Sequence, residues 1–95
     1  MTKRQADYKD IPQIDHRLDI TGEVCPMTFV KTKLLIERMK TGEIVEVRLK
    51  GTEPLANVPR SVREHGHTVL ALVPEAEDAP ADAPHRLLIR KEKKA

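Results

Sequence analysis

Residues 18–39 read LDITGEVCPMTFVKTKLLIERM, and this stretch decides the fold. Leu18 and Ile20 close a short run of alternating polarity that is typical of a strand. A turn at Thr21-Gly22 follows, and Cys25-Pro26 then stands directly before a helical pattern. Proline is well tolerated in the first turn of a helix, because its missing N–H would have no intrahelical partner there. We therefore predict a strand, a turn and a helix that begins at Pro26.

The predicted helix, Pro26 to Lys40, carries two apolar stripes. The wider stripe has the spacing of a helix that faces a core. Its members are Thr28, Phe29, Thr32, Leu35, Ile36 and Met39. The narrower stripe contains Met27, Val30 and Leu34 and is either a flank of the core, which we favour, or a contact surface. Gly42 follows a basic last turn and ends the helix.

Four strands and a second helix complete the prediction. The predicted strands are His16–Ile20, Glu43–Lys50, Thr68–Val73 and His85–Arg90. The third is a nearly continuous apolar run, which suits a strand that is buried on both faces or lies under heavy cover. The second helix is predicted to start near Pro59, after a short turn over 54–57, and to end at Gly66, because proline is unfavourable inside a helix. The order β-α-β-α-β-β predicts an α/β fold, a two-layer sandwich with a four-stranded mixed sheet and both helices on one face.

Length and composition limit the domain organisation and the compartment. The chain has 95 residues, which allows one small domain with one modest core. We expect a flexible N-terminal tail over 1–15, a domain over 16–91 with a mobile proline-rich loop over 74–84, and a C-terminal tail over 92–95. No apolar run is long enough to span a bilayer, and the first residues do not resemble a secretory signal. One cysteine cannot form an intramolecular disulfide, so a cytoplasmic location is the default expectation.

Cys25 is the candidate catalytic residue. A thiol at a helix start meets unpaired backbone N–H groups and the positive end of the helix dipole. Both favour the thiolate, which is the nucleophilic form, although a lone cysteine can also be a small buried apolar residue. The absence of a Cys-x-x-Cys spacing excludes a self-contained dithiol redox cycle. Alkylation, persulfide formation and an intermolecular disulfide all remain open for this thiol.

Other kinds of site are not indicated. His16, His65, His67 and His85 show no recognisable nucleophile–base motif, and we expect them to be solvated. We predict no metal site, because one cysteine and scattered histidines lack zinc-ligand spacing, and no cofactor site. A net charge of +2 and an aromatic content of 2% argue against nucleic acid. The basic residues form either a solvated surface or a docking site for an acidic protein. They are Lys31, Lys33, Arg38, Lys40, Arg48, Lys50, Arg60 and Arg63.

Several motifs together resemble one known family. They are Leu18-Asp19-Ile20-Thr21-Gly22, Cys25-Pro26 with the helix after it, Gly42-Glu43, Val58-Pro59, Gly66-His67 and Leu88-Ile89-Arg90. On these residues, from about His16 to Lys91, the chain resembles the TusA/SirA (YeeD-type) sulfur carriers. The resemblance implies a sulfurtransferase that holds a persulfide on Cys25, with Pro26, Met27 and Thr28 supporting the helix start. A cysteine desulfurase or rhodanese-like protein would donate sulfur, and an acceptor protein would use it in tRNA thiolation, cofactor synthesis or sulfur metabolism.

The chain departs from the family pattern at some positions. The usual signature is C-P-x-P, and Thr28 replaces its second proline. The Thr28 hydroxyl either lies near the thiolate or helps to cap the first turn of the helix. The loop over 74–84 resembles an insertion. The layered fold also resembles the C-terminal domain of a translation initiation factor. A non-catalytic regulatory or RNA- or protein-binding module is therefore the alternative function.

Overall fold

A computed structural model describes residues 14–23 and 27–92. The elements are β1 (His16–Asp19), α1 (Met27–Arg38), β2 (Ile44–Leu49), α2 (Thr52–Glu64), β3 (Thr68–Pro74) and β4 (His85–Arg90). The predicted order of strands and helices is confirmed, and so is the two-layer α/β architecture with a four-stranded mixed sheet. Pro26, the predicted first residue of the helix, lies outside the described residues.

The sheet has the strand order β1-β2-β4-β3. β1 runs parallel to β2, and β4 runs antiparallel to both of its neighbours. Because β4 lies inside the sheet, Leu87, Leu88 and Ile89 are all fully buried. β3 is an edge strand, and its Leu72 remains 37% exposed. The third strand was predicted to be buried on both faces or heavily covered, and this was wrong, since none of its residues is buried. An apolar run does not reveal a strand's place in the sheet.

The core lies between the helices and one face of the sheet. Alternate residues of β2 and β4 point toward the helices, as the pleat of a strand requires. They pack with residues from both helices in one cluster, which shows that the helices cover the same face. The buried members are Ile20, Ile36, Met39, Val45, Val47, Leu49, Val58, Val62, Leu87 and Ile89. Burying each large aliphatic side chain stabilises the fold by roughly 1.5–3 kcal/mol.

The two apolar stripes of α1 have different environments. In the wider stripe, Thr28, Thr32, Ile36 and Met39 are buried, and Phe29 and Leu35 pack against the core at half burial. In the narrower stripe, Met27 is 42% exposed, Val30 37% and Leu34 51%. Our preference for a core flank was wrong. The sheet and α2 cover one side of the helix, and among residues 14–23 and 27–92 no third layer covers the other.

α2 is one continuous helix over Thr52–Glu64, so the prediction of a turn before a helix at Pro59 was also wrong. Pro54 is the third residue of the helix, where an N–H would have no intrahelical acceptor. Pro59 is inside the helix and buried beside Val58. Its packing against the core offsets the backbone hydrogen bond that a proline cannot donate.

The sheet face opposite the helices carries a network of ion pairs. Arg17 lies 3.3 Å from Glu46, and Arg86 lies 3.6 Å from the same carboxylate. Glu75, directly after β3, contacts Arg48 at 2.6 Å and Arg86 at 3.1 Å. Glu75 therefore ties the start of the proline-rich loop to β2 and β4. Ile44 and Leu88 are buried on this face as well.

Candidate functional site

The turn that follows β1 is fixed by local hydrogen bonds. The Asp19 carboxylate accepts hydrogen bonds from the Thr21 N–H at 3.0 Å and the Thr21 hydroxyl at 2.7 Å. The Glu23 N–H donates to the Ile20 carbonyl at 3.1 Å, and the Ile20 N–H donates to the Arg48 carbonyl at 2.9 Å. Since Ile20 is also buried in the core, the chain has a defined path as far as Glu23.

Asp19 is held in its charged form. The pKa of its carboxyl is lowered from 3.8, chiefly by the two hydrogen bonds from Thr21 and further by the Arg48 guanidinium. Arg48 contacts Asp19 at 3.3 Å and is itself paired with Glu75. The turn is therefore connected electrostatically to the middle of the sheet.

Cys25 and Pro26 lie outside the described residues, so their predicted roles stay predictions. The residues on both sides of them are described. Met27 begins α1 and is exposed, whereas Thr28 is fully buried. The Thr28 carbonyl accepts a hydrogen bond from the Thr32 hydroxyl at 2.8 Å. Of the predicted supporting residues, Met27 therefore lies at the surface of the helix start and Thr28 in its interior.

The start of α1 is electrostatically favourable for an anion. The first turn of the helix contains no acidic residue that would oppose the positive end of the dipole. Glu23 precedes the helix, and the Lys31 ammonium contacts its carboxylate at 2.6 Å. This pair joins the turn to the helix and neutralises the carboxylate that is nearest to Cys25 in the sequence.

A groove that the sequence did not indicate lies beside this turn. It is bordered by the turn itself, the start of α2 and the end of the proline-rich loop, and its volume is about 670 Å³. We call it the proline groove. Its lining residues are Thr21, Gly22, Glu23, Lys50, Gly51, Thr52, Glu53, Pro54, Pro80, Asp82, Ala83 and Pro84. Three segments that are distant in sequence form it, which is why no local motif could reveal it.

The proline-rich loop is tied down at both ends. Glu75 binds Arg48 and Arg86 at one end. Near the other, the Gly51 N–H donates to the Asp82 carbonyl at 2.8 Å, and the Glu75 N–H donates to the Pro84 carbonyl at 3.1 Å. The loop thus forms a wall of the proline groove. The mobility predicted for the loop over 74–84 stays a prediction.

Each of the four histidines makes a contact with a neighbouring residue of the described structure. His16 lies 2.9 Å from the Glu43 carboxylate, and the His65 ring packs against Phe29 with centroids 5.3 Å apart. His67 Nδ1 accepts a hydrogen bond from the Glu92 N–H at 3.1 Å, and His85 Nδ1 donates to the Ala83 carbonyl at 2.7 Å. His65 is exposed and the other three histidines are half-buried, so all four keep contact with solvent, as predicted.

The described part of the chain has neither a group of metal-ligating side chains nor a membrane-spanning helix. Within residues 14–23 and 27–92, no three or more histidine, cysteine, aspartate or glutamate side chains are grouped as metal ligands. The two helices in this part of the chain are too short and too polar to cross a bilayer.

Comparison with known proteins assigns the family. The profile of sulfurtransferase TusA matches residues 16–91, which is most of the chain. The chain belongs to the TusA family. A relative in Archaeoglobus fulgidus, named "Putative sulfur carrier protein", is 46% identical over 69 residues, or 73% of this chain and 77% of the relative. A relative in Escherichia coli K12, named "Putative sulfur carrier protein YedF", is 43% identical over 56 residues, or 59% of this chain and 73% of YedF.

The TusA fold is also found among solved structures. The SirA-like protein of Desulfitobacterium hafniense has a TM-score of 0.65 at 16% identity, and the match covers 83% of this chain and all of that one. At this identity the similarity concerns the fold alone. The predicted resemblance to the TusA/SirA family is confirmed by the family profile and the curated relatives.

Proposed function

We propose that this TusA protein relays sulfane sulfur as a persulfide on Cys25, from a donor protein to an acceptor protein in the cytoplasm. One observation carries the proposal. A fixed turn ends at Glu23, and a helix without acidic residues in its first turn begins at Met27. Cys25 falls between them in sequence, where helix-start amides and the dipole favour a thiolate.

The chemistry of the relay needs one thiolate and no second cysteine. The Cys25 thiolate attacks the outer sulfur of the donor persulfide. The donor S–S bond breaks, its electron pair returns to the donor sulfur, and a new S–S bond forms on Cys25. An acceptor thiolate then removes the outer sulfur in the same way. Sulfur is transferred without a change in total oxidation state, so the relay needs no oxidant or reductant.

Mass spectrometry tests the relay directly. The protein is incubated with a cysteine desulfurase and cysteine, and we expect Cys25 to gain the mass of one sulfur atom, which dithiothreitol removes. Cys25→Ser is the control and gains nothing. If Cys25 stays unmodified while the desulfurase loads a known carrier in the same tube, the relay is refuted.

The reactivity of the thiol gives a second prediction. The rate of Cys25 alkylation, followed against pH, should have its midpoint below the ordinary thiol value of about 8.5. The expected cause is the helix start, which stabilises the thiolate. A free cysteine-containing peptide in the same buffer is the reference. A midpoint equal to that of the peptide would contradict an activated thiol.

The alternative of an RNA-binding module is less well supported by the surface. The arginines on the open sheet face are paired with carboxylates, Arg17 with Glu46, Arg48 with Glu75 and Arg90 with Glu92. Paired arginines do not form the unneutralised basic patch that phosphate recognition requires. Full biological activity of the Cys25→Ser protein would nevertheless favour a binding module over a carrier.

A further inference from the structure

The proline groove and the proposed sulfur site are neighbours in the sequence, because one residue separates the groove-lining Glu23 from Cys25. Thr21, Gly22 and Glu23 line one side of it. Cys25 follows Glu23 by two residues, so covalent geometry keeps the two α-carbons within about 7 Å. The Glu23 side of the groove is therefore the side that leads along the chain to position 25. The inference that follows rests on the proposed function of Cys25.

The form of the groove suits a polypeptide segment. Its volume of about 670 Å³ is much greater than a small persulfide would fill, and it is open to solvent rather than enclosed. Sites for small ligands enclose most of the ligand surface, which this groove does not. Pro54, Pro80 and Pro84 give it stiff apolar walls. An extended segment can lie along such walls without being enclosed.

The charges of the groove indicate the chemistry of that segment. Its lining contains three carboxylates, those of Glu23, Glu53 and Asp82, and one ammonium, that of Lys50. Glu23 is paired with Lys31. In the described part of the chain, the Glu53 and Asp82 carboxylates have no hydrogen-bond or ion-pair partner. Two unpaired carboxylates outweigh one lysine and the roughly half positive charge of the α2 helix start, so the groove favours a basic occupant.

We propose that the proline groove seats an extended, basic segment of the protein that delivers sulfur to Cys25. The segment carries the donor cysteine persulfide next to the helix start. Glu53 and Asp82 attract its lysine or arginine side chains, while the prolines contact its main chain. Transfer then follows the balanced exchange described above. The groove would select donors by the residues that flank their reacting cysteine.

The test uses two synthetic peptide persulfides on the full chain. In one, lysine and arginine flank a single cysteine persulfide; in the other, glutamates replace them. Inorganic polysulfide, which has no peptide to bind the groove, measures the reactivity of the Cys25 thiol by itself. Mass spectrometry gives the rate of sulfur gain on Cys25. We expect the basic peptide to react at least about fivefold faster than the acidic peptide, as an electrostatic preference of this kind predicts.

Paired variants separate the groove from overall charge. In Glu53→Gln/Asp82→Asn, the ratio of the basic-peptide rate to the polysulfide rate should fall about fivefold. Glu77→Gln/Asp78→Asn removes the same charge from exposed residues of the same loop outside the groove and should leave that ratio unchanged. Equal rates for the two peptides, or an equal fall in both variants, would overturn the inference.

A binding measurement distinguishes failure of the groove from failure of the relay. The basic peptide is made with serine in place of cysteine and titrated into ¹⁵N-labelled protein. We expect amide shifts at Gly22, Gly51 and Thr52, which line the groove. Shifts there without sulfur gain from any donor would refute the relay and leave the groove as a peptide site. Sulfur gain from polysulfide without shifts there would refute the groove alone.

Discussion

Of the four glycines, Gly51 leaves the least room for a side chain. Its φ is +103°, a conformation that residues with a Cβ rarely adopt, and an added Cβ would lie 3.2 Å from Pro54 Cδ. We expect Gly51→Ala to lower the free energy of unfolding by about 1–2 kcal/mol, because the strain cannot relax without moving the start of α2. Urea unfolding followed by circular dichroism measures the change.

Gly22 is the matched control for Gly51. It also lines the proline groove, but a Cβ at Gly22 would meet nothing within 4 Å. Gly22→Ala should therefore change the free energy of unfolding by no more than about 0.5 kcal/mol. Similar effects of the two substitutions would show that backbone conformation at Gly51 is not what limits stability.

At the level of single residues, the sequence predicted short-range features better than long-range ones. The turn at Thr21-Gly22 was predictable because Asp19 and Thr21 bond to each other across one residue. The bond from Gly51 to Asp82 was not, because it joins two loops that are far apart in sequence. The proline groove depends on that bond and was therefore missed.

Among the helices, α1 offers a sharp contrast between two side chains of similar size. Ile36 is 2% exposed and belongs to the core, whereas Leu34 is 51% exposed. Ile36→Ala should lower the free energy of unfolding by about 2–4 kcal/mol through lost burial and a cavity. Leu34→Ala should stay within about 0.5 kcal/mol, since alanine favours helix and little burial is lost. Chemical denaturation of both variants measures these changes. Equal losses of unfolding free energy would refute the assignment of one stripe to the core and the other to the surface.

The helices also show where periodicity stops being informative. The spacing on α1 identified the core-facing stripe, because only one face of a helix in a two-layer fold is covered. It did not show that Met27, Val30 and Leu34 stay in solvent, which depends on where α2 packs. On α2, the local rule against proline failed at Pro59, because tertiary burial outweighed the missing hydrogen bond.

For the whole molecule, acid should destabilise the fold through paired carboxylates. The pKa of Glu75 is lowered from 4.5, first by Arg48 and then by Arg86, that of Glu43 is lowered chiefly by His16, and that of Glu92 chiefly by Thr68. A lowered folded pKa means that the unfolded chain binds protons at higher pH. This stabilisation is complete above about pH 4.5 and is lost as the pH falls through the lowered values.

The urea midpoint from pH 7 to pH 3 tests this dependence. It should decrease below about pH 4.5. Glu75→Gln should have a lower midpoint than the parent at pH 7, and the two curves should converge in acid, because protonation removes the same charge from the parent. Curves that stay parallel over the whole range would show that the contacts of Glu75 with Arg48 and Arg86 do not stabilise the fold.

The layered α/β architecture was easier to predict from the sequence than the strand order or the ion pairs. The alternation of strand and helix patterns, with right-handed crossovers, leaves few two-layer arrangements. Strand order was less accessible, so the burial predicted for β3 belongs to β4 instead. The ion pairs of the open face join residues from β1, β2, β4 and the segment after β3. The amino-acid composition gives the number of charged residues but not which of them form ion pairs.

The interior position of β4 has a consequence for synthesis of the protein. β4 follows β2 and β3 in the sequence, yet it lies between them and, within residues 14–23 and 27–92, is the only strand with which β3 pairs. A nascent chain that ends before His85 leaves a side of β2 and the whole of β3 without a partner strand. β4 must therefore have left the ribosome before the sheet can close. β2 and β3, although made earlier, become parts of one sheet only when β4 comes to lie between them.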